Sequence, residues 1–465
     1  MGERSDGTKA VVGERSDGTN KAVGEQGELE ERIGELRAKG VELVAGSLTD
    51  PAGVTRAKYV PLRRLGDFQR SGMGVSPSWS VFCVDSGIAF TPTIGVAGDL
   101  RIRIDPADAR VVEAGVAWAP GNLTDQAGDA APLCTRSLLA RAEQSAADRG
   151  LTALVGAELE CTMLTPDGGP ASTGPWSPYG LRTSLDRSAF LVDLATTAER
   201  AGLAVEQIHT EYGHDQLEVS LAPTTPVGAA DAVILTRIVL GRAAARHDLR
   251  ISFSPVPFEG AAGNGAHLHL SLSDEQGPLF AGGDGPYGIR AAGGSAIAGV
   301  IDTLPDLLGV YAGAVVSELR LKPGNWAGAA ACWGLENREA AVRFIAATPG
   351  NPHGANAELK LIDPSANPYL AAAAFLGSAL RGIALGLDLP VEIPENPSQS
   401  DATTPPLPTG QRAVIDALER SAVAAELLTP DIVEGLVAVR RYEQETFGAM
   451  SPAETTQALR LAWSC

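Results

Sequence analysis

The chain is poor in the features that would place it in a disulfide, membrane or nucleic-acid class. Its five cysteines (Cys83, Cys134, Cys161, Cys332 and Cys465) are scattered, with no CxxC spacing. That argues against a disulfide framework or a thiolate metal knuckle and points to a reducing compartment. No apolar run approaches the ~20 residues of a membrane span. The N-terminus lacks the apolar core of a secretory signal. The expectation is therefore a cytoplasmic protein with no membrane partner. Basic residues are the minority: 37 Lys+Arg stand against 56 Asp+Glu, for a net charge of −19. Nucleic acids and anionic membranes need basic patches, so neither is expected as a partner. Histidine is also scarce, six in 465 residues, which gives weight to any place where two fall together.

What is present reads as an ordinary globular chain, 44% hydrophobic and 20% charged, long enough for two or three domains. Gly2-Glu3-Arg4-Ser5-Asp6-Gly7-Thr8 recurs as Gly13-Glu14-Arg15-Ser16-Asp17-Gly18-Thr19. The repeat is polar and glycine-rich, so residues 1–26 are expected to form a disordered tail. Residues 27–125 then read as a small β-rich domain. Glu28 to Lys39 is a helix stopped by Gly40. Val41 to Leu48 and Arg56 to Leu62 flank a Thr49–Gly53 turn. Leu100 to Asp105 alternates as a half-exposed strand, and Val111 to Ala119 is another. Residues 126–465 alternate helices and strands. Helices are expected at Ser137–Arg149, Ser188–Arg200, Val227–His247 and Pro368–Leu387, with three more at the C-terminus. Strands are expected at Leu151–Leu164, on both sides of Gly213-His214-Asp215, at Ile251–Pro255 and at His267–Leu272. The fold class is α+β.

The chemistry lies in pairs spaced by two. Glu158 and Glu160, and likewise His267 and His269, sit in strand-like runs, where a two-residue period puts each pair on one face. Glu211 and Glu218 flank a polar turn, and Glu358 follows later. Alone, the Glu158/Glu160 pair is also what an exposed strand face gives, and paired histidines can be satisfied core residues. Together, five carboxylates and two imidazoles aimed at one cavity would repel each other unless cations joined them. The expected site holds divalent metal and phosphate. Arg338 and Arg343 are forked donors suited to phosphate, and Arg320 could clamp a carboxylate. The flexible run before His267 lets backbone approach a ligand.

Taken in order along the chain, these segments resemble the glutamine synthetase family. The resemblance is carried by Glu158/Glu160, the Glu211…Glu218 segment, Gly263-Asn264-Gly265-Ala266-His267-Leu268-His269, Asn337-Arg338, and Glu358 followed by Asp363-Pro364-Ser365-Ala366-Asn367-Pro368-Tyr369-Leu370. It implies a small β-grasp-like domain before a large catalytic domain with an antiparallel sheet and flanking helices. It further implies a homo-dodecamer of two hexameric rings. By resemblance, Glu160, Glu211 and Glu218 hold one metal, and Glu158, His267 and Glu358 hold a second. His269, Arg338 and Arg343 contact the phosphates of ATP, and Gly263 and Arg320 hold glutamate. Oxygen-rich ligation with one imidazole favours Mg²⁺ or Mn²⁺, two or three ions in all. The implied reaction phosphorylates the glutamate γ-carboxylate, and an amine then displaces phosphate to give a γ-amide.

The sequence also departs from a true glutamine synthetase. That enzyme needs acids around ammonium, one on a flap shortly after the position of Arg320. Here the flap reads Arg320-Leu321-Lys322-Pro323-Gly324-Asn325-Trp326, with Trp326 in the acid's place. The segment Gly72–Trp79, matching the one that supplies the second acid from a neighbouring subunit, has no carboxylate. Lys360 and Asn356 stand where arginines are usual, and Lys cannot offer a bidentate fork. An aromatic at the amine site suits an alkyl chain or a larger cation. These departures resemble the branch that glutamylates organic amines, notably the γ-glutamylpolyamine synthetases. The expected substrate is a polyamine (putrescine, cadaverine, spermidine or spermine), with ethanolamine or ammonia as alternatives. A catalytically silent regulatory homologue is a further alternative, set against the retention of all six implied metal ligands. A zinc hydrolase would leave Asn337-Arg338 without a role.

Overall fold

The structure, a computed structural model, describes residues 14–400 and 404–464. Two sheets organise it. The smaller has six strands: β1 (Leu43–Thr49), β2 (Thr55–Pro61), β3 (Met73–Val75), β4 (Leu100–Ile104), β5 (Arg110–Glu113) and β6 (Val116–Thr124). Its order is β2-β1-β6-β4-β3, with β5 also on β6. The β1–β6 pairing is parallel and the remaining pairings are antiparallel. The larger sheet has nine strands: β7 (Thr152–Leu164), β8 (Val205–Thr210), β9 (Gln216–Thr224), β10 (Arg250–Ser252), β11 (Ala266–Asp274), β12 (Gly277–Pro278), β13 (Ala330–Leu335), β14 (Ala340–Ile345) and β15 (Asn356–Leu359). Its main path is β13-β14-β15-β11-β7-β9-β8. The α+β reading holds, with a mostly antiparallel large sheet and flanking helices.

Several elements differ from the sequence expectation. The first helix spans Glu14–Ala38, so it runs back through much of the stretch read as tail, while residues 1–13 lie outside the described residues. The expected strand over Val111–Ala119 is two strands, broken at a turn where Gly115 has φ +78°. Four C-terminal helices are present where three are expected: Gln411–Arg420, Ala422–Leu428, Pro430–Phe447 and Pro452–Leu459. The helix Ala291–Tyr311 was not anticipated, because it carries four glycines and Pro305, which act against helical propensity. Tertiary burial overrides them. It packs against Pro368–Leu385, and Gly299 and Gly382 let the two backbones meet: a Cβ on Gly299 would lie 2.6 Å from Gly382 Cα. Helix Pro368–Leu385 is also long and apolar enough to cross a membrane by composition (mean hydropathy 1.4), but 72% of it is buried inside the protein.

The Asp363–Asn367 motif explains how the two sheets are joined. Asn367 caps the helix Pro368–Leu385, its Oδ1 accepting from Tyr369 N and Leu370 N. Its Nδ2 donates to Thr49 O at 2.9 Å and Asp50 O at 3.2 Å, in the β1–β2 turn. Arg237 and Trp463 donate to Gly53 O and Ala52 O in the same turn. Gly53 has φ +82°, and a Cβ there would sit 2.3 Å from Ser365 O, so only glycine fits. The hairpin of the small sheet is thereby keyed into the chain segment that follows β15.

Candidate active site

Strand register builds the site directly. Across the large sheet, Glu218 on β9 faces Glu160 on β7, and Glu158 on β7 faces His267 on β11. His269 on β11 then faces Glu358 on β15, and Glu358 faces Arg343 on β14. Directly opposed side chains lie within about 5 Å at Cβ, so a band of acids and imidazoles crosses five strands. His267 Nδ1 lies 3.5 Å from Glu158 and 3.5 Å from Glu358, and its Nε2 lies 3.9 Å from Glu160. His269 Nε2 lies 3.5 Å from Glu158, and its Nδ1 is 3.0 Å from Asn356 Oδ1. Arg343 Nη1 and Lys360 Nζ donate to the two oxygens of Glu358 at 3.1 and 3.2 Å.

The backbone around this band has no spare room. Gly265 N donates to Glu160 Oε2 at 2.7 Å, and Gln216 Nε2 donates to the same oxygen at 3.1 Å. A Cβ on Gly265 would come within 2.4 Å of His267 Nε2, and one on Gly263 within 2.8 Å of the Arg320 side chain. Arg320 is buried and donates to the carbonyls of Leu361 and Lys360 at 3.2 and 3.1 Å. Its guanidinium is thus fixed by backbone, beside His267.

The electrostatics show what the cluster needs. Burial pushes the Glu218 carboxyl up to about 9, reinforced by Glu158, Glu160 and Glu211. Burial also works against an ionised Glu158, but the adjacent His267 and His269 imidazoles outweigh it and hold Glu158 well below the usual carboxylate range. Burial opposes ionisation of Glu358 as well, yet Lys360, His267 and His269 bring it down to about 2. Among the described residues, three groups have ligand atoms within 4.8 Å of one another: Glu158/Glu218/His267, Glu158/His269/Glu358 and His209/Glu211/Glu218. His269 Nε2 and Arg343 Nε are buried without a hydrogen-bond partner. Carboxylate oxygens with imidazole, and buried polar atoms left unmatched, fit hard divalent cations and phosphate.

The band forms the floor of a cavity of about 1390 Å³. Arg338 stands exposed on its wall, near Tyr179, whose hydroxyl donates to Glu211 Oε2 at 2.8 Å. Three turns make the mouth: the β8–β9 turn with Tyr212, the 259–263 loop and the flap carrying Trp326. Trp326 and Tyr212 have ring centroids 6.1 Å apart.

Comparison with known proteins decides the family. The glutamine synthetase catalytic domain model matches residues 132–458. The chain belongs to the glutamine synthetase family. A relative in Streptomyces coelicolor named gamma-glutamylpolyamine synthetase GlnA3 is 37% identical over 88% of this chain and 90% of its own length. A glutamine synthetase of Mycolicibacterium smegmatis is 29% identical over 70% of this chain and 76% of its own. Among solved structures, a novel glutamine synthase homolog superposes with a TM-score of 0.83 at 31% identity, over 91% of this chain and 99% of that one. Members of this family are ligases that use ATP and divalent metals, bind small-molecule substrates and are oligomeric.

Within this glutamine synthetase family member, the residues singled out from sequence reach the cavity by different routes. Glu158, Glu160, Glu211, Glu218, His267, Gly263, Arg320, Trp326, Arg338, Arg343 and Lys360 line it directly. His269 and Glu358 stand behind His267, bonded into the band. The ligand groupings differ from those the resemblance implied: Glu160 falls in none of the three groups, and His269 joins Glu158 and Glu358. Glu211 lies just past β8, in the turn before β9, and not on a strand as expected. His209 was overlooked. Its Nε2 is 3.1 Å from Glu211 and 3.7 Å from Glu218. The signal was available, because His209 and Glu211 share the same two-residue spacing as Glu158 and Glu160.

Proposed function

We propose that this protein is an ATP-dependent ligase joining the γ-carboxylate of glutamate to an organic amine, with polyamines as the preferred class. The observation that carries the amine is Trp326. The residue is 54% exposed at the cavity mouth, where an acid would be needed to gather and deprotonate ammonium. The 37% identical relative in Streptomyces coelicolor, named gamma-glutamylpolyamine synthetase, supports the same class. This reading keeps the ligand sets that the resemblance implies rather than the tightest side-chain groupings: Glu160, Glu211 and Glu218 for one divalent ion, with Glu160 opposite Glu218 across β7–β9, and Glu158, His267 and Glu358 for a second, with His267 3.5 Å from each of the two acids. Mg²⁺ or Mn²⁺ there would neutralise the phosphate and carboxylate oxygens that must meet. Arg343 is aligned on the floor by the strand ladder, and Arg338 reaches in from the rim; these two face the phosphates of ATP, with His269 supporting them from behind His267. Arg320, Gly263 and Lys360 shape the glutamate end. The γ-carboxylate attacks the terminal phosphorus, ADP leaves, and the amine nitrogen then displaces phosphate from γ-glutamyl phosphate. The enclosed floor keeps water from that acyl phosphate. The assembly proposed is a double-ring homo-dodecamer in the cytoplasm.

The test is product identity. With ATP, Mg²⁺, glutamate and putrescine or spermidine, mass spectrometry should find the γ-glutamyl amine. Glutamine formed from ammonia, with no glutamyl amine from any polyamine, would overturn the amine assignment.

A further inference from the structure

The flap between the helix Ser317–Arg320 and β13 pairs with no strand, yet it holds a strained conformation. Trp326 has φ +53° in the left-handed region, which a bulky side chain rarely adopts unless its surroundings impose it. Core packing does not impose it. More than half of the residue is open to solvent, and Tyr212, itself 63% exposed, is its aromatic neighbour. The constraint comes from Glu339, in the turn between β13 and β14. Glu339 is buried, and its two oxygens accept from two flap amides: Trp326 N at 3.0 Å and Gly324 N at 3.3 Å. A carboxylate accepting two backbone N–H bonds is a strong anchor. The opposite side of the mouth is braced as well. Gly213, next to Tyr212, packs so closely on the 259–263 loop that a Cβ there would lie 3.1 Å from Ala262 Cβ.

We infer that Glu339 is a positioning residue: it locks the flap so that Trp326 faces Tyr212, and this aromatic pair receives the alkylammonium chain of the amine. The inference rests on the amine-ligase reading above and adds Tyr212 and Glu339 to it. The two rings present an apolar, electron-rich surface beside a strongly acidic floor. That combination attracts a cation carried on methylenes. Bare ammonium has no chain to lie against the rings, so the pair should discriminate through the chain. Glu211, immediately before Tyr212, and the exposed Glu259 on the facing loop add negative charge to the same cavity.

Steady-state phosphate release at fixed Mg²⁺ tests this, with spermidine and ammonium as the amines. Glu339→Ala, Tyr212→Ala and Trp326→Ala should each raise the KM for spermidine about tenfold. The KM values for ATP and glutamate should stay within about twofold, a split that general destabilisation would not give. Glu339→Gln, which keeps one acceptor oxygen, should recover most of the loss. The Glu339→Ala/Trp326→Ala double variant should be no worse than Trp326→Ala alone, since both remove one contact. Equal rises in all three KM values, or full additivity in the double variant, would overturn the inference. So would an unchanged spermidine KM in Tyr212→Ala, the variant that carries the test if Glu339→Ala does not fold. A wild-type enzyme that turns over spermidine while these variants stay unaffected sinks the inference alone. A wild-type enzyme that uses only ammonia sinks the amine-ligase reading with it.

Discussion

On the sheet face, each functional side chain is fixed by a backbone ladder on both sides. At the cavity mouth, Tyr212 and Trp326 stand on turns held by a few side-chain acceptors. Glu358 is 1% exposed and bonded to both Arg343 and Lys360, whereas Trp326 is mostly open. A strand position cannot move without moving its neighbours, so the floor suits chemistry that needs fixed charges. A turn can change its side chain with little cost to the fold. On the proposed function this contrast is a division of labour: activation of glutamate falls to the sheet, and choice of amine to the loops.

The sharpest way to break this contrast is to remove a floor residue. Glu160→Ala or His267→Ala should lower activity by at least about a thousandfold, since Lewis-acid stabilisation contributes several kcal/mol. Circular dichroism and sedimentation should show the fold and assembly unchanged. Substantial remaining activity would remove the floor from the mechanism. Next comes the rim of the floor. Arg338→Ala should reduce kcat by about a hundredfold with a much smaller change in the KM for ATP, as expected of a group that acts on developing phosphoryl charge.

Metal binding offers a third test, through pH. The Glu218 carboxyl is pushed up to about 9 by burial and its acidic neighbours, so at neutral pH it holds a proton without a cation. A metal must displace that proton. Mg²⁺ affinity should therefore rise with pH, by up to about tenfold per unit between pH 7 and 9, and level off above. Titration calorimetry in buffers of different ionisation enthalpy should show proton release at pH 7. Affinity that is flat across this window would contradict the protonated floor. The smallest effect belongs to the mouth. Trp326→Glu should shift the ratio of spermidine to ammonia turnover by about tenfold toward ammonia, leaving phosphoryl transfer to glutamate intact.

Much of the floor was legible in the sequence because a strand repeats every two residues. Glu158/Glu160 and His267/His269 stand out by spacing, and gain weight only when taken together with the other acids along the chain. The groupings were not legible, since they depend on register. Glu218 meets Glu160, and His269 meets Glu358, only because β7, β9, β11 and β15 align as they do. His209 carries the same signal in its two-residue spacing to Glu211, but it has no second imidazole or carboxylate pair beside it to draw attention. The helix Ala291–Tyr311 was hidden by its glycines, which look like breaks when read locally although Gly299 serves close contact with Pro368–Leu385. At the mouth, Trp326 was visible as an oddity on the flap. The role of Glu339 was not, because its partners are backbone amides thirteen and fifteen residues earlier. No side-chain pattern reports such a contact.

The most direct measurement is kcat/KM for phosphate release from ATP with Mg²⁺ and glutamate, across ammonia, ethanolamine, putrescine, cadaverine, spermidine and spermine. The expected result is strong release with the polyamines and little with ammonia. Ammonia as the best amine would make this an ordinary glutamine synthetase and reduce Trp326 to a surface residue of the flap.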